Sequence, residues 1–246
     1  MSEYDQVAAN LPGEFRVLWR AEVSSTNDEL RALAEQGTGE GLVLIGEDQK
    51  AGRGRRGAAW FSPKGGGLAF SVLLRPGGNK GLWHRLSLVA GLAVAEAVEK
   101  FGVVAEVKWP NDVLVGGRKL AGILVEAGAD FVIVGIGINV NADDFPEGLN
   151  ATSLKMECGE EIPRAEVLGE VVKRLAGYAD RIEGDFDGLL DGVRERCALT
   201  GKSVALTIAG TRREGLVRGI AEGGELLVLM DGAVERVFQA DEVRVC

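Results

Sequence analysis

Residues 103–139 read VVAEVKWPNDVLVGGRKLAGILVEAGADFVIVGIGIN, and this stretch decides the fold. Segments 103–107, 113–115, 119–127 and 131–139 are predicted strands, because short Val- and Ile-rich runs bounded by turn residues suit a pleated, buried surface. Gly116-Gly117 and Gly128-Ala129-Asp130 are too short to carry a crossover helix, so the last three of these strands fold back on one another as hairpins. Lys108-Trp109-Pro110-Asn111-Asp112 forms a polar corner, since proline imposes an extended or turned backbone on the residue before it. An antiparallel or mixed sheet follows.

Working outward, Leu82, Leu86, Val89, Ala93, Ala97 and Phe101 recur at helical spacing, which predicts one long helix over 82–101 backing the sheet. Before it, 68–74 reads as a strand and 48–67 as a loop too rich in Gly and Arg to be helical. Segment 42–47 is a short apolar strand and 15–23 another. Between these two, Ser24-Ser25-Thr26-Asn27-Asp28-Glu29 supplies caps and first-turn acids for a helix reaching about Gln36. On the C-terminal side, 141–163 is a long polar connection and 164–196 holds two helices broken near Gly184. After Gly201 the texture changes to four short strands, 203–208, 213–220, 226–230 and 234–238, separated by Ala209-Gly210, Glu222-Gly223-Gly224 and Asp231-Gly232. That pattern predicts a small β-barrel. The expected domains are 1–198 and 199–246.

The chain has 246 residues, 46 % of them hydrophobic and 26 % charged, with a formal charge of -9. These values fit a packed globular chain and argue against wrapping nucleic acid or an anionic membrane with the whole surface. The longest apolar stretches, 86–95 and 131–140, are about half of what a spanning helix needs. The leading residues MSEYDQVAANLPGEF lack the pattern of a secretory or transit peptide. Cys158, Cys197 and Cys246 are widely spaced, which suits a reducing cytoplasm better than a disulfide framework. His84 is the single histidine and reads as structural or surface, since any His-based metal site or Ser-His-Asp triad would rest on it alone.

Segment 49–95 holds eight Lys and Arg and no acid, which points to a local anion site. At its centre, GRGRRG (52–57) matches a dinucleotide-binding GxGxxG pattern, but no helix opens behind it and the next acid is Glu96, so the ribose partner is missing. Gly201-Lys202-Ser203 resembles the tail of a P-loop, yet the leading glycine position is Arg196 and a strand follows. Glycines alternating with arginines let the backbone close on a ligand while guanidiniums neutralise phosphate or carboxylate; a solvated basic turn is the plainer alternative. Gly122, and Gly135-Ile136-Gly137-Ile138-Asn139, interrupt strands and imply something packed against the backbone. Gathered around the loop, these strand ends suit a phosphorylated ligand.

Ser25-Thr26-Asn27, Gln49, GRGRRG with Trp60, KWPND (108–112), KLAGIL (119–124) and GIGIN (135–139) together resemble biotin protein ligases, in order and spacing, across nearly the whole chain. The resemblance implies an α+β catalytic domain with a mixed sheet, of the class II synthetase and biotin-ligase type, followed by an SH3-like β-barrel. It also implies a ligase forming a C–N bond. Biotin's carboxylate attacks the α-phosphate of Mg-ATP to give biotinyl-5'-AMP, and a lysine of a biotin carboxyl carrier protein then displaces AMP. Ser25, Thr26, Asn27 and Gln49 would bind biotin, with Arg53, Gly54 and Arg55 closing over it and Lys119 at its carboxylate. Trp60 would stack on adenine and Lys108 would face the α-phosphate. Asn111, Asp112 and Asn139 would hold the nucleotide or its magnesium, with Arg55 beside them. Arg55, Lys108, Asp112 and Lys119 are the expected catalytic set, and Asp112 would also help deprotonate the incoming lysine. With no winged helix-turn-helix ahead of the first strand, operator binding is not expected, and the chain would act as a monomer or homodimer. A lipoate ligase or octanoyl transferase, and a non-catalytic adenylate-binding module, remain the rival readings.

Overall fold

A computed structural model describes residues 3–13 and 15–246; Met1, Ser2 and Glu14 of the leading segment lie outside the described residues. After a short helix, α1 (Asp5–Ala8), the chain builds β1 (Arg16–Arg20), α2 (Thr26–Glu35), β2 (Leu42–Gly46) and β3 (Gly67–Leu74). Helix α3 (Leu86–Glu99) leads to β4 (Glu106–Lys108), β5 (Asp112–Val115), β6 (Arg118–Ala127) and β7 (Val132–Asn139). These strands form one seven-stranded mixed sheet in the order β1-β2-β3-β7-β6-β5-β4. Only β1 and β2 are parallel, and α2 supplies the crossover that a parallel pair requires. Gly116 and Gly117 both have positive φ (56° and 76°), the twist that a two-residue hairpin turn between β5 and β6 demands.

The strands show a period of two across the sheet. Val43 and Ile45 of β2, Val72 and Leu74 of β3 and Val132 and Val134 of β7 face the main core. There they meet α3 and, behind it, α5 (Arg164–Ala179) and α7 (Phe186–Glu195). The intervening Leu42, Leu44, Leu73 and Ile133 point to the opposite face, where Leu30 and Ala34 of α2 cover them. Helix α2 covers only the β2-β3-β7 side of that face. The continuation of the same face toward β4 carries small residues: Ala69 and Ser71 on β3 stand opposite Gly137 and Gly135 on β7, and Gly137 stands opposite Gly122 on β6. A hollow results, and it forms the site described below.

The predicted helix over 82–101 is divided. Residues Lys80–Arg85 form a 3-10 turn and the α-helix starts at Leu86. A short helix α4 (Leu154–Cys158) interrupts the predicted polar connection, and α6 (Arg181–Gly184) bridges the break between α5 and α7.

The C-terminal sheet has five strands where four were expected. These are β8 (Ser203–Ile208), β9 (Thr211–Ile220), β10 (Leu226–Met230), β11 (Ala233–Val237) and β12 (Glu242–Val245), in the order β11-β10-β9-β8-β12. Strand β12 alternates buried Val243 with charged neighbours, a two-residue period diluted by Glu242 and Arg244. This sheet packs onto the first through the KWPND corner: Trp109 Nε1 donates to the Gly224 carbonyl at 3.0 Å, and backbone bonds join Val107 to Arg196 and Ala198. Trp109 is therefore a buried anchor between the sheets.

Candidate active site

The hollow is a cavity of about 550 Å³ lined by β4 to β7, the α2 N-terminus, the arginine loop and residues 240–244 of the C-terminal sheet. Pleating explains its chemistry. Lys108 pairs with Asp112 across β4 and β5, and Asp112 pairs with Gly122 across β5 and β6, so all three share the open face. The β5–β6 register skips Leu120; this bulge turns Lys119 onto the same face. There its ammonium meets Asp112 at 2.6 Å and stands 5.5 Å from the Trp60 ring centroid.

Twelve of the thirteen residues expected from sequence line this cavity: Ser25, Thr26, Asn27, Gln49, Arg53, Gly54, Arg55, Trp60, Lys108, Asn111, Asp112 and Lys119. Asn139 does not. It is 4 % exposed, and its Nδ2 donates to the carbonyls of Lys119 (3.2 Å) and Thr152 (3.0 Å). Its amide ties the start of β6 to the following loop, so the expected nucleotide or metal contact by this side chain is replaced by a structural one.

The glycine-interrupted strands give a second correction. A Cβ at Gly122 would stand 2.9 Å from Trp60, one at Gly137 would overlap the same indole, and one at Gly135 would overlap the Asn27 amide. The close approach inferred from the sequence is therefore made by the chain's own Trp60 and Asn27. Trp60 packs its indole against the glycine floor and lines the cavity, an aromatic surface on which a ring could stack.

At the α2 end, Ser25 occupies the helix N-cap position without making a side-chain cap. It is 3 % exposed yet lines the cavity, and its hydroxyl has no hydrogen-bond partner among the described residues. Thr26 donates its backbone N–H to Gln49 Oε1 at 2.9 Å, which fixes the Gln49 amide. Asn27 is engaged at both ends: Nδ2 donates to Glu126 Oε2 (2.6 Å) and Oδ1 accepts from Ser71 Oγ (2.6 Å). Its amide is thus occupied within the protein and serves to hold the site together.

The arginine loop forms a closed backbone hairpin, with Gly54 N–H donating to Ala58 O and Trp60 N–H to Gly52 O. Where sequence suggested no regular structure, Arg55–Gly57 makes a single 3-10 turn, with Arg56 in the left-handed region at φ 57°. No helix follows, which excludes the dinucleotide pattern on geometry. The loop's charges are largely paired with acids from outside it. Arg53 reaches Asp28 at 2.5 Å and Glu126 at 3.2 Å; the Asp28 hydrogen bond holds Arg53's pKa above the ordinary guanidinium value and pulls the Asp28 carboxyl below its own. Arg56 pairs with Asp241, and outside the loop Lys50 pairs with Asp48 and Arg75 with Asp130. Of the eight cations in 49–95, only Arg53 and Arg55 line the cavity. Arg55 donates to the Ala240 carbonyl (3.0 Å) and Asn111 Oδ1 (3.4 Å), and burial lowers its pKa.

Lys108 stands apart. Its ammonium makes no ion pair or hydrogen bond among the described residues, while Lys119 pairs with Asp112 and Arg244 with Glu242. Sequence reading missed four residues that shape the site: Asp28, Ser71, Glu126 and Asp241. Ser71 left a signal, a hydroxyl inside an otherwise apolar strand, and Glu126 left another, a carboxylate closing the apolar run 120–125; buried sheets tolerate such groups only with partners. His84 lies outside the cavity, between the carbonyls of Gly81 and Gly223.

The site is thus a mixed sheet hollowed on one face, with separate cations along it and a small antiparallel sheet closing one side. The chain belongs to the biotin/lipoate A/B protein ligase family, whose model matches residues 19–143. It is 34 % identical over 247 residues to the bifunctional ligase/repressor BirA of Bacillus spizizenii, covering 92 % of this chain and 73 % of that protein. It is 35 % identical to the biotin--[acetyl-CoA-carboxylase] ligase of Mycobacterium tuberculosis, covering 91 % and 86 %. The biotin protein ligase from Aquifex aeolicus, solved in complex with biotin and ATP, superposes with a TM-score of 0.84 at 33 % identity, over 95 % of this chain and all of that one.

Proposed function

We propose that this chain activates biotin with ATP to biotinyl-5'-AMP and pyrophosphate, then transfers biotin to a lysine of a biotin carboxyl carrier domain. The observation that carries the reading is one continuous cavity with a polar recognition end at Ser25, Thr26 and Gln49 and an unpaired cation, Lys108, on the same sheet face. The ureido group of biotin suits the first end and the α-phosphate of ATP the second.

In the first step the biotin carboxylate oxygen bonds to the α-phosphorus and pyrophosphate leaves. Lys119 screens the repulsion between carboxylate and phosphate, and Lys108 stabilises charge on the α-phosphoryl oxygens; both act as fixed charges in a partly enclosed site. Arg55, held by Asn111 and the Ala240 carbonyl, closes the loop over the adenylate. Magnesium enters as the ion of the nucleotide substrate: among the described residues no group of three or more His, Cys, Asp or Glu could hold it. Asp112, the lining carboxylate on the sheet face beside Lys108, would be the residue to hold it, and the ion would supply charge neutralisation at the phosphates. In the second step the carrier's lysine amine attacks the acyl carbon, the C–O bond to AMP breaks, and the amine proton passes to Asp112. No covalent enzyme intermediate is required, in keeping with a cavity lined by no Cys or His.

The cavity is complete within one chain, so a monomer suffices for the chemistry. No described helix is long and apolar enough to cross a membrane, and we place the enzyme in the cytoplasm with its carrier. Pyrophosphate release with ATP and biotin, compared with lipoate and octanoate, tests the reading. Release specific to biotin supports it; release with lipoate or octanoate alone assigns the other branch of the family, and binding without release assigns a sensing module.

A further inference from the structure

Behind Thr26 runs a row of polar groups in which Ser71 and Asn27 are buried and Glu126 is partly exposed; Ser71 and Glu126 do not line the cavity. Glu126 on β6 accepts from Asn27 Nδ2 (2.6 Å), Asn27 Oδ1 accepts from Ser71 Oγ (2.6 Å), and Ser71 Oγ is 2.8 Å from Thr26 Oγ1. Ser71 is fully buried and Asn27 is 3 % exposed. Gly135 leaves the room this row needs, since a Cβ there would overlap Asn27 Oδ1. Thr26 itself lines the cavity.

We propose that this row is a relay of fixed polarity, with Glu126 and Ser71 as positioning residues that make Thr26 an acceptor and so select an acyl head group bearing N–H. The direction follows from proton inventory. The Glu126 carboxylate, paired with Arg53, accepts from Asn27, so Asn27 turns its NH2 toward it. The Asn27 carbonyl then faces Ser71, whose single proton goes there. Ser71 Oγ is left with lone pairs for Thr26, whose hydroxyl proton points inward. Gln49 Oε1 is a second, longer acceptor at 3.2 Å, and with either partner the Thr26 proton is used inside the protein. Thr26 Oγ1 therefore presents only lone pairs to the cavity. A cyclic urea offers N–H groups to such an acceptor, whereas a dithiolane or a plain alkyl chain offers none. A site built to hydrogen-bond a polar group rejects analogues lacking it, because its own buried group is then left unpaired.

The inference rests on the biotin reading and deepens it. Its test is calorimetric binding, without ATP, of biotin and of the cyclopentanone analogue in which CH2 replaces each ureido N–H. In Ser71→Ala the relay is cut and biotin affinity should fall roughly tenfold, the scale of one buried polar contact, while analogue affinity stays within about twofold. In Glu126→Gln both polarities become possible, so the biotin-to-analogue ratio should fall by less than in Ser71→Ala, on top of a loss shared by both ligands from the broken Arg53 pair. In a Thr26→Val background, Ser71→Ala should leave the biotin-to-analogue ratio unchanged, since coupled positions are non-additive. Merely structural roles would weaken both ligands equally and leave their affinity ratio at the wild-type value, and an unchanged ratio in the folded single variants overturns the relay. If Ser71→Ala fails to fold by its melting curve, Glu126→Gln decides alone. Wild-type protein that binds biotin but releases no pyrophosphate overturns the ligase reading while the binding ratio still decides the relay. Wild-type protein that does not bind biotin overturns both.

Discussion

The arginine loop and the KWPND corner carry the same kind of charge and use it differently. The loop announces itself in sequence, yet in the fold Arg53 is clasped by Asp28 and Glu126 and Arg56 by Asp241. These charges fasten the loop to α2, β6 and the C-terminal sheet. The corner supplies one lysine in an ordinary-looking strand end, and that lysine has no partner among the described residues. A charge density read along the chain locates cations; only the fold shows which are already neutralised. Charge available to a phosphate is the charge without a carboxylate partner: Lys108 at the corner and, in the loop, Arg55, whose guanidinium meets only the Ala240 carbonyl and the Asn111 amide oxygen.

That contrast can be broken or sharpened by substitution. Lys108→Ala should produce the largest effect, a loss of about 100-fold or more in the rate of biotinyl-AMP formation with the fold intact, as when one preorganised charge is removed from a transition state; rapid-quench adenylate formation measures it. Gly137→Ala comes next, because the added methyl overlaps Trp60. Overpacking of this kind costs about 1–3 kcal/mol, so denaturant unfolding should show that loss, and the displaced indole should raise the KM for ATP.

Asp28→Asn tests the loop clasp and should weaken biotin binding only a few-fold, as expected for a partly exposed ion pair. The pH dependence has a fixed sign. Because Asp28 is held below its ordinary value of 3.8, its stabilising pair is fully present above that value and is lost as pH falls through the lowered one. Wild type and Asp28→Asn should therefore differ in affinity equally at pH 7 and pH 5 and converge only below 3.8. Arg56→Gly should have the smallest effect: it removes a pair between a half-exposed guanidinium and the largely buried Asp241, which keeps its Gly210 N–H, and it relieves a left-handed backbone at φ 57°, so stability should change by about 1 kcal/mol.

Much of the sheet was legible because its strands are short Val- and Ile-rich runs, buried on both faces, and its turns are written in glycine. The division of the helix at Leu86 was not, since the apolar spacing runs on through the 3-10 turn. Strand β12 was hidden by charges at alternate positions. At the site, sequence gathered the correct neighbourhood but could not assign engagement. Asn27, Arg53 and Asn139 are polar and close to the cavity, and each is satisfied by partners distant in sequence: Asn27 by Glu126, Arg53 by Asp28 and Glu126, Asn139 by Thr152. The glycines of β6 and β7 signalled a close approach without naming the visitor, which proved to be Trp60 and Asn27.

The most direct test sets the two regions side by side, measuring single-turnover pyrophosphate release at saturating biotin and ATP for Lys108→Ala and Arg53→Ala. Lys108→Ala should lose about 100-fold or more, while Arg53→Ala should keep a rate within a few-fold of wild type and lose mainly biotin affinity. An Arg53→Ala enzyme that loses the chemical step, beside a Lys108→Ala enzyme that keeps it, would contradict the claim that the unpaired strand-end lysine drives the reaction.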